Sequence, residues 1–188
     1  HRIESVGGTL YIAYNGHLTS LEGLGSLESV GNLGIEHNGT LFSLEGLNNL
    51  AQVDGWFGVN HNPNLNSLEA LANLHRVEDF FGLGSGNFTS LNGLENLTTI
   101  GGGADIAATQ ITDLYGLRGL IEVEDQLRFR ENGALTTLAG LESLTTVGSL
   151  SIRENPVLCD LSIDELIETL SPSEIERYAN CTAGVVPP

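Results

Sequence analysis

The segment Val30-Gly-Asn-Leu33-Gly-Ile35-Glu-His-Asn38 decides the fold, because its pattern returns along the chain every 23 or 24 residues. Each copy opens with a short apolar residue, continues with two apolar residues that alternate in the period of a β-strand, and in most copies ends with Asn. The copies begin at Val6, Val30, Val53, Val77, Ile100, Val123 and Val147. One unit cannot bury its apolar edge alone, whereas stacked units share a continuous core. The sequence therefore predicts a solenoid of seven such units, here called rungs.

The remainder of each rung also repeats. Apolar residues follow the Asn at intervals of three, as in Leu18, Leu21, Leu24 and Leu27, a spacing that suits turns or 3-10 segments opposite the strands. A small residue in each run predicts close backbone approach or a positive φ. These small residues are Gly23, Gly46, Ala70, Gly93, Gly116 and Gly140. The predicted fold class is α/β and strand-rich: a right-handed solenoid with one parallel sheet of short strands and a helical C-terminal cap.

We interpret the repeated Asn as a structural residue. It lies where the strand ends and the chain turns inward, so that its amide can bond backbone groups of its own rung and the next. Rung four has Gly86-Asn87 at this place and rung five has Thr109. Because Ala104 also replaces a large apolar residue in rung five, we expect that rung to be looser or distorted.

Composition and motifs exclude several function classes. The chain has 24 Asp and Glu against 7 Lys and Arg, a net charge of −17, so nucleic acid and anionic membranes would be repelled. No apolar run is long enough to span a bilayer. The sequence has no nucleophile elbow, phosphate loop or zinc spacing, and its carboxylates are spread along edges rather than paired. We therefore expect no enzyme activity and no cofactor.

The motif V-x-x-L-x-I-x-x-N resembles the conserved segment of leucine-rich repeats. The phrase L-x-S-L-x-G-L resembles the receptor L-domain relatives found in secreted and cell-surface proteins. This resemblance covers Ile3 to about Cys181. It implies a recognition module without shared catalytic residues, located outside the cell, at the cell surface or in the periplasm.

The two ends of the chain predict three parts: a solenoid over 1–158, a helical cap over 159–183, and the start of a linker over 184–188. No Met is present, so either a leader was removed or the chain is a segment of a longer exported protein with further domains. The capping-box pattern Ser162-Ile-Asp-Glu165 predicts the start of a helix. Ser171-Pro-Ser-Glu174 repeats that signal, with Ile175 and Tyr178 available to face the core.

Cys159 and Cys181 bracket the cap and are the two cysteines of the chain. Secreted relatives of the kind this chain resembles close their solenoid ends with a disulfide, which implies the same pairing here and an oxidising compartment. The alternative is two unrelated buried thiols.

Strand alternation points every second side chain of the sheet outward, and we expect function on that face. Three outward columns follow, and Trp56 and Phe80 belong to the first. The second is Tyr11, Gly34, Gly58, Gly82, Asp105, Arg128 and Ser151, and the third is Ala13, Glu36, Asn60, Gly84, Ala107, Arg130 and Arg153. Trp56 and Phe80 precede the strands in adjacent rungs, about 5 Å apart by strand spacing. Beside a glycine floor of Gly34, Gly58 and Gly82 they form a platform for a sugar ring or a partner's side chain, or they pack on the edge of the solenoid.

Arg128, Arg130 and Arg153 form a local reversal of charge. They suit an acidic peptide, a carboxylate or a sulfated sugar, unless Glu131 and Glu154 neutralise them in an ion-pair ladder.

His37 and His61 occupy equivalent positions in adjacent rungs, either as surface turn residues or as ligands of a metal. The function that we expect is recognition of a protein partner through the strand face. Glycan binding at the aromatic half and a purely structural surface segment are the alternatives. The binding residues that we predict are Tyr11, Trp56, Asn60, Phe80, Asp105, Arg128, Arg130 and Arg153.

Overall fold

The computed structural model describes residues 2–170, 172–178 and 180. The chain winds into a solenoid of about seven turns that carries a single parallel sheet, as the repeat predicts. The strands are β1 (Ser5–Ala13), β2 (Ser29–Glu36), β3 (Gln52–Val53), β4 (Phe57–Asn60), β5 (Arg76–Val77), β6 (Phe81–Gly84), β7 (Thr99–Ile100), β8 (Ala104–Ala107), β9 (Glu122–Arg130), β10 (Thr146–Arg153) and β11 (Ile175–Tyr178). Three 3-10 segments, Glu22–Leu24, Glu69–Leu71 and Tyr115–Leu117, lie on the connecting turns, and one helix, α1, spans Asp160–Leu170.

Equivalent positions of successive rungs pair in register, so each inward position forms a row of buried side chains. Leu33 pairs with Phe57, Phe57 with Phe81, and Phe81 with Ala104. The rings of Phe57 and Phe81 stack with centroids 5.1 Å apart. The distortion expected in rung five does not occur. Ala104 is buried, and β8 pairs in regular register with both β6 and β9.

The Asn ladder is confirmed. Asn38 is fully buried; its backbone N–H donates to Oδ1 of Asn62 at 2.9 Å, and its Nδ2 donates to the carbonyl of Ile12 at 2.9 Å. In rung four the ladder position is held by buried Gly86, and a Cβ there would lie 2.7 Å from Cδ1 of buried Phe88. The ring of Phe88 therefore lies against the ladder position of this rung, where other rungs carry an Asn side chain.

The small residues of the turns fall into two alternating kinds. Gly46, Gly93 and Gly140 have φ of +111°, +105° and +113°, and added Cβ atoms would overlap the backbone of the preceding rung. Gly116 is held by the same close approach without a positive φ, whereas a Cβ at Gly23 would meet nothing within 4 Å. The prediction therefore holds for Gly46, Gly93, Gly116 and Gly140 and is wrong for Gly23, and only the positive φ alternates between rungs. The positive-φ glycines are 47 residues apart, so the turns repeat every two rungs.

The C-terminal segment is partly helical. The helix α1 contains the capping-box segment but begins at Asp160, two residues before the predicted start at Ser162, and it buries Ile163 against the last rung. A second helical stretch does not follow, because Ile175–Tyr178 adds strand β11 to the outer edge of β10. Ile175 and Tyr178 are exposed rather than turned toward the core.

Cys159 forms no disulfide among the described residues. Its predicted partner Cys181 and the predicted linker over 184–188 lie outside them, so both remain predictions. No helix within the described part of the chain is long and apolar enough to cross a membrane.

Candidate functional site

The outward columns of the strand face match those expected from the repeat. Tyr11 lies beside Gly34, Gly34 beside Gly58, and Gly58 beside Gly82. The same row continues through Asp105, Arg128 and Ser151. The third column likewise runs in register from Ala13 to Arg153 and ends on Tyr178 of β11. The face therefore has an aromatic and glycine-rich half and an arginine-rich half.

The aromatic half is built around Gly34. A Cβ at Gly34 would lie 2.7 Å from Cε2 of Tyr11 and 2.9 Å from Cη2 of Trp56. The two rings, from rungs one and three, therefore converge over the backbone of rung two. Both lie against that backbone because glycine leaves no side chain in their way.

Hydrogen bonds across rungs hold the side chain of Tyr11 and the backbone of Trp56. The hydroxyl of Tyr11 donates to Oε2 of Glu36 at 2.6 Å, and this hydrogen bond is the main reason that the pKa of Tyr11 is raised. The backbone N–H of Trp56 donates to Oδ1 of Asn32 at 3.0 Å, and Nδ2 of Asn32 donates to the Thr9 hydroxyl. Neighbouring rungs thus fix where each ring leaves the sheet.

Gly82 of the floor and Gly84 of the third column are covered in the same way, whereas a Cβ at Gly58 would lie at an ordinary 3.5 Å from its nearest neighbour, Trp56. A Cβ at Gly82 would lie 2.9 Å from the ring of Phe80, and one at Gly84 would lie 2.8 Å from Oδ1 of Asn60. Trp56 and Phe80 are half-buried while Tyr11 is 52 % exposed. The glycine floor is therefore not an open groove. The surface offered to a ligand consists of the outer faces of the Tyr11, Trp56 and Phe80 rings, with the Asn60 amide beside them.

Two of the three arginines of the arginine half pair with a carboxylate of the same face. Asp105, whose side chain is 13 % exposed, accepts hydrogen bonds from Nε of Arg130 at 3.1 Å and from Nη2 at 3.0 Å. Arg128 lies 3.8 Å from the same carboxylate. The hydrogen bond to Asp105 is the main reason that the pKa of Arg130 is raised. Asp105 therefore holds two of the predicted arginines together.

Two further contacts hold Arg130 and Arg153 in place. Nη1 of Arg130 pairs with Glu131 at 3.0 Å. Nη1 of Arg153 donates to the hydroxyl of Tyr178 at 2.9 Å, and its guanidinium carbon lies 5.8 Å from the centre of that ring. Arg128 and Arg130 thus have carboxylate partners within the chain, which favours the ion-pair interpretation for them, with Asp105 as the central carboxylate. Among the described residues Arg153 and Glu154 form no salt bridge, and the buried Nε of Arg128 has no hydrogen-bond partner.

A third row of side chains was not expected from the sequence. The residue just before each ladder position has a positive φ: Tyr14, His37, His61, Ser85, Ala108, Glu131 and Glu154, with φ between 52° and 59°. Three of them form a continuous stack, in which the Tyr14 and His37 rings are 4.7 Å apart and the His37 and His61 rings 4.5 Å apart. The sequence signal for this row is the position before the ladder residue, where the pattern singles out only the equivalent pair His37 and His61.

The stacked histidines are not part of a larger ligand cluster. Within the described ranges no group of three or more His, Cys, Asp or Glu side chains is placed to hold a metal ion. Comparison with protein-family models gives no match, and neither does a search of curated proteins. The function is therefore argued from the geometry of the strand face.

Proposed function

We propose that this chain is a non-catalytic recognition module that binds a protein partner through the aromatic half of its strand face. The observation that supports this most directly is the convergence of Tyr11 and Trp56 over Gly34. Trp and Tyr are the residues that most often dominate the binding energy of protein interfaces. The Glu36 carboxylate and the Asn60 amide beside them supply polar contacts at the rim.

Preorganisation favours the same function. The hydroxyl of Tyr11 is already bonded to Glu36, and Trp56 already lies against the sheet. A partner that covers these rings orders few additional rotamers, so less of the binding energy is lost as side-chain entropy. The arginine half contributes less, because a ligand carboxylate would have to compete with Asp105 for Arg130.

The finer family assignment and the location belong to this proposal. We infer a leucine-rich-repeat-like solenoid of the receptor L-domain type, supported by the V-x-x-L-x-I-x-x-N segment and by its buried Asn ladder. Secretion or display at the cell surface, and a role in adhesion, go with that assignment. The net charge of −17 disfavours nucleic acid as the partner.

The test compares capture of proteins by three immobilised forms of the chain. Trp56→Ala removes the central ring, and Tyr115→Ala removes an exposed aromatic side chain from a 3-10 segment away from the strand face. We expect the wild type and Tyr115→Ala to capture the same protein and Trp56→Ala to lose it. Capture that survives Trp56→Ala would contradict the proposal.

Carbohydrate binding is the second candidate, favoured by one observation. A half-buried Trp ring with an amide beside it, as in Trp56 and Asn60, can stack on a sugar ring while the amide bonds a hydroxyl. The acidity of the chain restricts this candidate to neutral saccharides. Because the chain has one Trp, a saturable shift of its fluorescence with a neutral saccharide, lost in Asn60→Ala, would support this candidate over a protein partner.

A further inference from the structure

The stack of Tyr14, His37 and His61, here called the stacking column, ends abruptly at rung four. The next two positions of the same row are Ser85 and Ala108, and the row resumes with Glu131. Adjacent rungs are about 4.8 Å apart, so roughly 14 Å separates His61 from Glu131. The second face of His61 has no aromatic neighbour among the described residues, and its side chain is exposed.

The neighbouring positions of rungs four and five are also small. Gly84 and Ala107 of the third column pair with each other beside Ser85 and Ala108. The small side chains of Ser85 and Ala108 leave a shallow notch next to the open face of His61, with the Asn60 amide over Gly84 and the buried Ala107 beside it. Its far wall is Glu131, which pairs with Arg130 at 3.0 Å.

The backbone conformation at these positions is unfavourable for residues with large rings. A left-handed conformation costs an L-residue other than Gly about 1–2 kcal/mol, and Gly or Asn would adopt it more cheaply. Tyr14, His37 and His61 nevertheless adopt this conformation, and the favourable free energy of ring stacking offsets part of the conformational free energy. The backbone at each ring is fixed because its N–H donates to the next rung, as that of His61 does to the carbonyl of Gly84 at 3.2 Å.

We propose that the notch receives an aromatic side chain of the protein partner, which continues the stacking column over Ser85. This inference rests on the proposed function, since it names a second contact for the same partner. A planar ring fits because the column is spaced by ring stacking at 4.5–4.7 Å and the next rung offers only a small side chain. A nucleobase would also stack, but the phosphates that carry it meet a chain of net charge −17.

The first experiment uses the intact chain and two neutral probes. N-acetyltryptophanamide supplies the ring, and N-acetylleucinamide is the aliphatic control. In NMR titrations we expect the first probe to shift the ring protons of His61 and the amides of Ser85 and Ala108, and the second to leave them in place. Shifts confined to Tyr11 and Trp56, no shift at the highest soluble concentration, or shifts with adenosine alone would overturn the proposal.

Variants separate the notch from the aromatic half. His61→Ala should abolish the probe shifts, whereas His17→Ala, which changes an exposed histidine outside the stacking column, should keep them. Ser85→Trp should also abolish them, by filling the notch from within while His61 remains. If the probe shifts persist in His61→Ala, the proposal is wrong.

Partner affinity distinguishes failure of the notch from failure of the proposed function. With the captured partner, His61→Ala should weaken binding about fivefold, as expected for loss of one aromatic stacking contact. Unchanged affinity in His61→Ala together with loss in Trp56→Ala would reject the notch and leave the proposed function intact. Unchanged affinity in Trp56→Ala would reject the proposed function, whatever the probes show at His61.

Discussion

The hydroxyl of Tyr11 and the carboxylate of Glu36 are joined by a hydrogen bond of 2.6 Å between neighbouring rungs. This bond fixes the ring of Tyr11 over Gly34, where it meets Trp56. The orientation of the aromatic half therefore depends on the Tyr11 phenol remaining protonated and on the Glu36 carboxylate accepting its hydrogen bond.

The first prediction concerns alkaline pH. The bond to Glu36 raises the folded-state pKa of Tyr11 above its ordinary 10.0, because ionisation removes the donated proton. The stabilisation is therefore fully present below the unfolded-state pKa and is lost as the pH rises through the folded-state pKa. Absorbance titration of tyrosinate should show a late component that Tyr11→Phe removes and Glu36→Gln moves to lower pH. A late component that survives Tyr11→Phe would show that another tyrosine is responsible.

The second prediction concerns the glycine floor. Gly34→Ala should displace Tyr11 and Trp56, because its Cβ would lie within 2.9 Å of both rings. Gly58→Ala is the matched control in the next rung, since its Cβ would lie at an ordinary 3.5 Å from Trp56. Quenching of Trp fluorescence by acrylamide should increase in the first variant and stay unchanged in the second. Equal quenching in both variants would argue against ring convergence over Gly34.

The third prediction concerns the turns. Gly46→Ala should destabilise the chain by about 3 kcal/mol, because φ is +111° and the Cβ would overlap the carbonyl of Leu21. Gly23→Ala, at the equivalent place one rung earlier, should be neutral or stabilise by about 0.5 kcal/mol, because its Cβ meets nothing. Denaturant unfolding measures both. A similar loss in the two variants would contradict the alternation of turns.

The fourth prediction concerns the Asn ladder. Asn132 is fully buried; its Nδ2 donates to the carbonyl of Ile106 at 2.9 Å, and its Oδ1 accepts from Thr109. Asn132→Ala should therefore cost about 3 kcal/mol, since it leaves buried backbone groups without partners. Asn87→Ala, at an exposed Asn outside the ladder, should change the free energy of unfolding by less than about 0.5 kcal/mol.

The fifth prediction concerns the cysteines. If Cys159 and Cys181 pair, thiol titration of the unfolded chain should find no free thiol before reduction. The bond would close a loop worth roughly 3 kcal/mol, so reduction should lower the unfolding midpoint. Two reactive thiols in the unreduced protein would establish the alternative of unpaired cysteines.

The repeat predicted the sheet and its outward columns because strand register is set by a period that recurs at every rung. Leu33, Phe57 and Phe81 share one buried row for that reason. The same columns place Asp105 beside Arg128. The ion-pair interpretation from the sequence names Glu131 and Glu154 instead, which are nearby in sequence. Cross-rung neighbours decide the pairing with Asp105, and they are visible in the sequence once the columns are written out, while Glu131 pairs with Arg130 as the sequence predicts.

Other features could not be predicted from local patterns. Ser171–Glu174 has the pattern of a helix start, yet the segment after it meets the open edge of β10. There the N–H of Leu150 donates to the carbonyl of Glu174, and Ile175–Tyr178 pairs as a strand. The ring stacking of Tyr14, His37 and His61 likewise depends on a backbone conformation that the residue types themselves do not favour.

The alternation of turn types limits how this solenoid can change in length. Gly46, Gly93 and Gly140 recur every 47 residues, and turns of the other kind lie between them. Loss or gain of a single rung would place two turns of the same kind next to each other. Each of them would then lack the contact with a turn of the other kind that it makes in this structure. A duplication or deletion of 47 residues preserves every junction, so the smallest neutral increment in length is a pair of rungs, about 10 Å along the axis.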